Sequence, residues 1–294
     1  IFLRKVFKEL DYLEDILKEF IYVGKTMKVS VVIPLFNKEP YIKRTISSVL
    51  NQTVEVDEII VVDDGSSDGG SKIVSDFDNS KIILIKQENL GQSTARNKGI
   101  NEARNELIGF LDADDEWKPE FIETILVLRK NFPDCGAYAT SSMAIKVDGS
   151  IRYPNLNLLP PEPWIGIIPN FFALIQKGLA FNSSSIVLPK KVIEEVGGFP
   201  VGIHKTSDIA TWAIIAMRYP IAFSPKKLAI YHQEAFNRTA PKHSYLDQFP
   251  VVNTIEQAIS DGSLENGDLK KEALEYAAQK QMEVAINNLI AGNK

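Results

Sequence analysis

Residues that commonly carry chemistry are scarce: the 294-residue chain holds one cysteine and three histidines. Cys135 has no second cysteine for an internal disulfide and no companion thiolates for a zinc site, which suits a reducing compartment and a cytoplasmic location. His204, His232 and His243 are too dispersed for a His-rich metal centre. A Ser-His-Asp hydrolase is disfavoured because its Gly-x-Ser-x-Gly elbow is missing, and no Walker A loop exists. Where a dinucleotide oxidoreductase would carry Gly-x-Gly-x-x-Gly, this chain reads Pro34-Leu-Phe-Asn-Lys-Glu39. A net charge of -5 argues against a nucleic-acid partner. No apolar run approaches the roughly 18 residues of a membrane span. What is plentiful is core material: 45% of the residues are hydrophobic, too many for a disordered chain. The 17 glycines and 15 prolines follow no period, which excludes a collagen-like fibre.

Three stretches differ in pattern. In residues 1–26, Leu3, Val6, Leu10, Leu13, Leu17 and Phe20 recur at spacings of three and four, which predicts an amphipathic N-terminal helix. Ile1 opens the chain and Met27 precedes the first strand, so this stretch reads as a docking or dimer helix or as upstream sequence. From residue 27 strands and helices alternate. Val29–Leu35, Glu58–Val62, Lys81–Lys86 and Leu107–Leu111 read as strands, with helices over Pro40–Gln52, Ser71–Phe77 and Gly91–Glu106. That alternation predicts an α/β domain with a mostly parallel central sheet flanked by helices, residues 27–125 being a nucleotide-binding-type half.

The following half, 126–235, is less regular. Strands are expected at Ala137–Ile145, Ser184–Leu188 and Ala229–His232, and helices at Phe171–Lys177, Lys190–Val196 and Thr206–Met217. A loop at 153–164 containing Pro154, Pro160, Pro161 and Pro163 is long enough to cover a substrate. Trp164 and the Phe171-Phe172 pair read either as sugar-stacking groups or as core. Residues 236–294 form a C-terminal helical extension whose expected buried stripe is Leu274, Ala277, Ala278, Met282, Ala285 and Leu289.

The chemistry is concentrated at two acidic strand ends. Leu107–Leu111 runs into Asp112-Ala-Asp-Asp115, and alternate side chains of an extended chain share a face, so Asp112 and Asp114 point the same way. Two adjacent carboxylates call for a cation, and Mg²⁺ or Mn²⁺ bridging to phosphates is the natural partner. Helix capping would need one such residue, not a cluster. Asp63 and Asp64 end the second strand, where an acidic side chain commonly meets a ribose or a base. They point to opposite sides, so one faces a ligand and the other serves the turn.

Four motifs occur in order: Val29-Ser-Val-Val-Ile-Pro-Leu-Phe-Asn37, Val61-Val-Asp-Asp-Gly-Ser-Ser-Asp68, Asn89-Leu-Gly-Gln-Ser-Thr-Ala-Arg-Asn97 and Phe110-Leu-Asp-Ala-Asp-Asp115. Together they resemble the family 2 glycosyltransferases of GT-A fold, over residues 27–235. The resemblance implies an inverting, metal-dependent transfer from a nucleotide-sugar donor, a UDP-sugar above all, to a saccharide or glycolipid acceptor. It implies that Pro34, Asp64, Asn89, Arg96 and Asp112 bind the donor. Asp114 would hold Mn²⁺ or Mg²⁺, with His232 as a second metal or phosphate contact. Thr206-Ser-Asp-Ile-Ala-Thr-Trp212 is similar to the segment that supplies the general base, which makes Asp208 the base and Trp212 the packing residue beneath it. Ser207 departs from the pattern, since the family commonly has Glu there. The resemblance also implies polysaccharide assembly at the inner face of a bacterial membrane, with the terminal helices giving a homodimer or peripheral membrane contact. Two rival readings are a non-catalytic nucleotide-sugar-binding or partner-binding module and an aspartyl phosphatase, which the Asp112–Asp115 strand end alone would suit.

Overall fold

The computed structural model describes residues 27–161, 163–178, 180–203, 206–236, 249–265 and 267–290. The amphipathic helix expected over residues 1–26 lies outside the described residues. The alternation read from residue 27 is observed as β1 (Val29–Leu35), α1 (Glu39–Leu50), β2 (Glu58–Asp64), α2 (Gly70–Ser75), β3 (Ile82–Gln87), α3 (Gln92–Glu102) and β4 (Leu107–Phe110). A two-residue strand β5 (Glu116–Trp117) and helix α4 (Phe121–Asn131) complete the first half. The second contains β6 (Ala137–Ile145), β7 (Ile151–Arg152), β8 (Gly166–Ile167), α5 (Phe171–Gln176), β9 (Ile186–Pro189), α6 (Lys190–Glu195), α7 (Ser207–Arg218) and β10 (Ile221–His232). Helices α8 (Pro250–Ser260) and α9 (Gly267–Ile290) follow.

One sheet runs β3-β2-β1-β4-β9-β6-β10-β5. β1 pairs in parallel with β2 and β4, β2 with β3, and β6 with β10, while β9 runs antiparallel between β4 and β6. The long pairings are therefore parallel, β5, β7 and β8 add only short antiparallel ones, and the two parallel parts of the sheet meet at the reversed strand β9. Burial on both faces explains the continuous apolar runs: Val31 and Ile33 pack under α1 and α4, while Val32 belongs to the core on the opposite face. Gly99 of α3 lets that helix approach β1 closely, since a Cβ there would lie 2.3 Å from Val32 Cγ1.

The sequence marks only Ala229–His232 of β10, because Pro225-Lys-Lys227 interrupts the pattern. The strand nevertheless begins at Ile221, and the interruption is a bulge: between Ser224 and Ala229 the partner β6 advances only from Thr140 to Ser142. Phe171 and Phe172 are core residues, and Trp164 packs against the same core. Cys135 is a buried hydrophobe whose thiol is pushed up to about 11, by burial first and by the charge of Asp134 second.

Helices α8 and α9 follow where a helical extension is expected, but the buried stripe differs. Ala273, Tyr276 and Ala277 turn inward, with Tyr276 5.9 Å from Phe172, whereas Leu274, Met282 and Leu289 are 46%, 62% and 74% exposed. Ala278 and Ala285 are exposed as well. α8 contributes Val251, Val252 and Ile255 to the same core as α7, so this segment is part of the body of the fold. No helix among the described residues is long and apolar enough to cross a membrane.

Candidate active site

The ends of β1, β2 and β4, the start of α3 and the start of α7 surround a cleft of about 890 Å³. Pro34, Asp64, Asn89, Arg96, Asp112, Asp114 and Asp208 all line it, so seven of the eight expected site residues are brought together. Parallel strands end at one edge of their sheet, and the residues just past those ends face a shared crevice.

Asp64 is engaged by the protein itself. Its Oδ1 accepts from Gln87 Nε2 (2.7 Å) and from the Leu90 N–H (2.9 Å), and its Oδ2 accepts from the Gly91 N–H (2.9 Å). It thereby fixes the entry to α3, where Gly91 has a φ of 91°, a conformation natural to glycine. A carboxylate has about four acceptor positions, so one direction remains for a ligand. Asp63 does the other half of the work, capping the turn through the Ser66 N–H (2.9 Å) and the Ser71 hydroxyl. Asn89 is exposed at the cleft rim, beside the exposed Leu90, with the half-exposed Phe36 also lining the cleft.

Arg96 is no solvated helix charge: its side chain is 3% exposed, and its Nη2 lies 2.7 Å from Asp112 Oδ1. Its guanidinium also sits 5.0 Å from the Phe199 ring centroid. Gln92 Nε2 gives Asp112 a second donor at 3.0 Å. Two buried polar atoms of α3, Arg96 Nε and Ser93 Oγ, have no hydrogen-bond partner among the described residues.

Asp114 faces Lys38, whose Nζ is 2.6 Å from Oδ2. Asp115 turns the other way and is fully buried. It accepts from Ser184 Oγ (2.5 Å) and from the His232 N–H (3.0 Å). Burial above all, and then the charges of Asp112 and Asp114, push its carboxyl well above the usual range. This third carboxylate ties the β4 end to β10 and to the turn before β9, a role that nothing in its spacing announces.

His232 is the expected residue that the cleft does not include. Its Nε2 lies 2.6 Å from Glu116 Oε1 and its Nδ1 2.5 Å from Glu234 Oε1, so both ring nitrogens are occupied. Burial opposes the charged imidazolium, yet the two carboxylate hydrogen bonds outweigh it and raise the ring above its ordinary value. Tyr231, the neighbouring residue, lines the cleft instead.

Across the cleft, Asp208 stands in the first turn of α7. Its Oδ2 accepts from Ser183 Oγ (3.0 Å) and its Oδ1 from the Ile209 N–H (2.9 Å). Thr206, which introduces the helix, has a φ of 58°, an uncommon conformation for a β-branched residue. Trp212 is buried one turn further on, 5.5 Å from Phe199 and 6.5 Å from Phe110. Ser207 is buried, and its carbonyl accepts from Thr211 Oγ1 (3.1 Å). The sequence reading missed Lys38, Ser183, Ser184 and Asp115. Lys38 stood in plain view between the end of the first motif, Asn37, and the start of α1, whereas the serines lie in a 3₁₀ turn with no periodic signal.

Among the described residues no group of three His, Cys, Asp or Glu is gathered for a metal. The donor set nevertheless fits Mg²⁺ or Mn²⁺ in the form those ions favour, which is one or two carboxylates completed by substrate phosphates. Asp112 and Asp114 supply that pair at the cleft wall.

The family model for glycosyl transferase family 2 matches residues 30–190. An uncharacterised glycosyltransferase of Rickettsia felis is 30% identical over 223 residues, 74% of this chain and 36% of that protein. The minor teichoic acid biosynthesis protein GgaA of Bacillus subtilis is 39% identical over 104 residues, 33% of this chain and 23% of its own length. The chain thus spans little more than a third of the curated relatives at most. Among solved structures, S. aureus TarS 1-349 in complex with UDP-GlcNAc superposes with a TM-score of 0.67 at 17% identity, covering 89% of this chain and 72% of that one. Motifs, cleft and sheet order converge: the chain belongs to glycosyl transferase family 2 and has the GT-A fold.

Proposed function

We propose that this chain transfers a sugar from a nucleotide diphosphate sugar, with UDP as the nucleotide, to a hydroxyl of a saccharide or lipid-linked acceptor, with inversion at the anomeric carbon. The observation that carries the reading is the meeting of Asp64, Asp112 and Asp114 on one wall with Asp208 on the other, around a cleft of nucleotide-sugar size. The UDP-GlcNAc held by the similar TarS structure supports the choice of donor. The teichoic acid biosynthesis named for GgaA supports a polymer of that kind as acceptor, and the proposal includes its assembly at the inner face of a bacterial membrane. Residues 27–125 form the donor half and 126–235 the acceptor half.

Pro34 and Asn89 border the base, and Asp64 offers it the acceptor direction left over from the α3 entry. Arg96 holds Asp112 towards the ribose and sugar. Asp114 with Asp112 would hold Mn²⁺ or Mg²⁺ together with the diphosphate, and that ion, when bound, stabilises negative charge on the leaving group. Asp208 takes the proton of the acceptor hydroxyl as its oxygen attacks the anomeric carbon. The new C–O bond forms while the bond to the diphosphate breaks, and the electron pair departs with the diphosphate. Ser183 and the α7 backbone hold Asp208 in one orientation for this step.

Calorimetric titration of UDP with and without Mn²⁺, into the wild type and Asp114→Asn, tests the donor site. The expected result is Mn²⁺-dependent binding in the wild type that the substitution abolishes. Equal affinity in the two proteins overturns the role of Asp114, and binding of GDP or dTDP in place of UDP corrects the nucleotide.

A further inference from the structure

Lys38, like Arg152 and Lys177, is a cleft cation that the motifs leave without a task, and it is the one whose ammonium meets a carboxylate expected to bind metal. Its position is built. Asn37, just before it, has a left-handed φ of 52° that the neighbouring loop holds in place. The Asn37 N–H donates to Ser66 Oγ (3.0 Å), and Asn37 Oδ1 accepts from the Ser67 N–H (2.8 Å). Just after it, the Glu39 N–H donates to Asp68 Oδ2 (2.9 Å), and Glu39 Oε2 accepts from the Gly69 N–H (2.9 Å). With its backbone clamped on both sides, the side chain is aimed at Asp114. The ammonium donates to Asp114 Oδ2 (2.6 Å) and to the Phe236 carbonyl (3.0 Å). The two side chains of the pair are 11% and 12% exposed.

A divalent ion on Asp114 and an ammonium 2.6 Å from the same carboxylate are like charges competing for one anion. We propose that Lys38 is the resident counter-ion of Asp114, displaced when metal and donor arrive together, and that the freed ammonium then pairs with the donor's diphosphate. This rests on the reading of Asp114 as the metal ligand. A metal ion alone must take Asp114 from a nearly buried ammonium and leave it with the Phe236 carbonyl but no counter-charge, which is costly. With the diphosphate present the same ammonium gains phosphate oxygens. Metal and donor therefore bind cooperatively, and by linkage each raises the affinity of the other by the same factor. The empty cleft stays charge-balanced and takes up neither ligand strongly by itself.

The test measures Mn²⁺ affinity, by calorimetry and by the free-Mn²⁺ electron paramagnetic resonance signal, with and without UDP. The proteins are the wild type, K38M, K38Q, K38R and D114N, each shown to be folded by thermal melting; K38Q carries the test if K38M does not fold. The neutral variants are expected to bind Mn²⁺ in the absence of UDP about tenfold more tightly than the wild type, a typical coupling magnitude. Their gain in Mn²⁺ affinity on adding UDP is expected to shrink, and K38R is expected to behave as the wild type. Unchanged Mn²⁺ affinity in K38M and K38Q, with binding lost in D114N, overturns the counter-ion role and leaves Asp114 as ligand. Failure of every protein to bind Mn²⁺ with or without UDP, or full binding by D114N, overturns the metal reading and the proposal with it.

Discussion

The two walls of the cleft solve the problem of exposed carboxylates differently. On the wall formed by β1, β2 and β4, each carboxylate is answered by a fixed group: Asp112 by Arg96, Asp114 by Lys38, Asp64 by two backbone N–H groups. On the α7 wall, Asp208 is held among the described residues by one hydroxyl and one backbone N–H. The difference fits the roles proposed for the two walls. A carboxylate that only positions a ligand or an ion tolerates a cation beside it until that ligand comes. A carboxylate that must accept a proton is weakened as a base by a neighbouring cation. A paired cation thus distinguishes Asp112 and Asp114, the proposed metal-side acids, from Asp208, the proposed base, where residue type alone does not.

The largest expected effect breaks the comparison outright. Asp208→Asn should keep UDP binding while transfer falls by about 10²- to 10⁴-fold, the range that general-base catalysis contributes. Single-turnover assays read it, and transfer within tenfold of the wild type would remove Asp208 from the chemistry. A pair of substitutions then compares the walls by stability. Arg96→Met leaves Asp112 without its cation and should cost about 1–3 kcal/mol in urea denaturation, discounted because Asp112 is partly solvated. Ser183→Ala, on the other wall, should cost about 1 kcal/mol or less. Equal losses would mean that the wall of β1, β2 and β4 is no more rigidly built than the α7 wall.

The smallest effect concerns the histidine cluster behind the cleft. His232 has a raised folded value, so its stabilising contribution is full below the unfolded value near 6.5 and is lost as pH rises through the folded one. Glu116 and Glu234 are lowered. The hydrogen bond from His232 leads for Glu116; for Glu234 burial opposes and the His232 bond prevails. Their contributions are present above the unfolded value near 4.3 and are lost as pH falls through the folded ones. The cluster therefore stabilises a window from mildly acidic to neutral pH. His232→Gln should lower the melting temperature more at pH 6 than at pH 9, and an equal drop at both would show that the ring acts by packing alone.

Residues 27–125 were readable because their strands are buried on both faces and acidic residues follow the strand ends directly. Val29–Leu35 is a strand with matching bounds in sequence and structure, and Asp64 and Asp112 stand where parallel strands stop. The partners of those acids were not readable, since Lys38 reaches Asp114 across 76 positions and Ser183 reaches Asp208 across 25. In α9 the spacing is ambiguous because two faces carry apolar residues. The small Ala273 and Ala277 beside Tyr276 permit the closer approach and are buried, while the larger Leu274 and Met282 remain outside. β10 was half hidden because its bulge contains the proline that ordinarily forbids a central strand.

That bulge also governs parity. Between Ser224 and Ala229 the chain advances five residues while its neighbour advances two, an excess of three. Side chains alternate along a strand, so an odd excess inverts inward and outward for every residue beyond it. Tyr231 faces the cleft, and His232 the carboxylates behind it, only because the excess is odd. Removing a single residue from the Pro225–Leu228 stretch, if the gap closes by a one-residue slip of β10 against β6, would exchange the two rings and send an imidazole into the cleft. Register beyond the bulge, more than the identity of any one residue in it, decides which of two rings the wall presents.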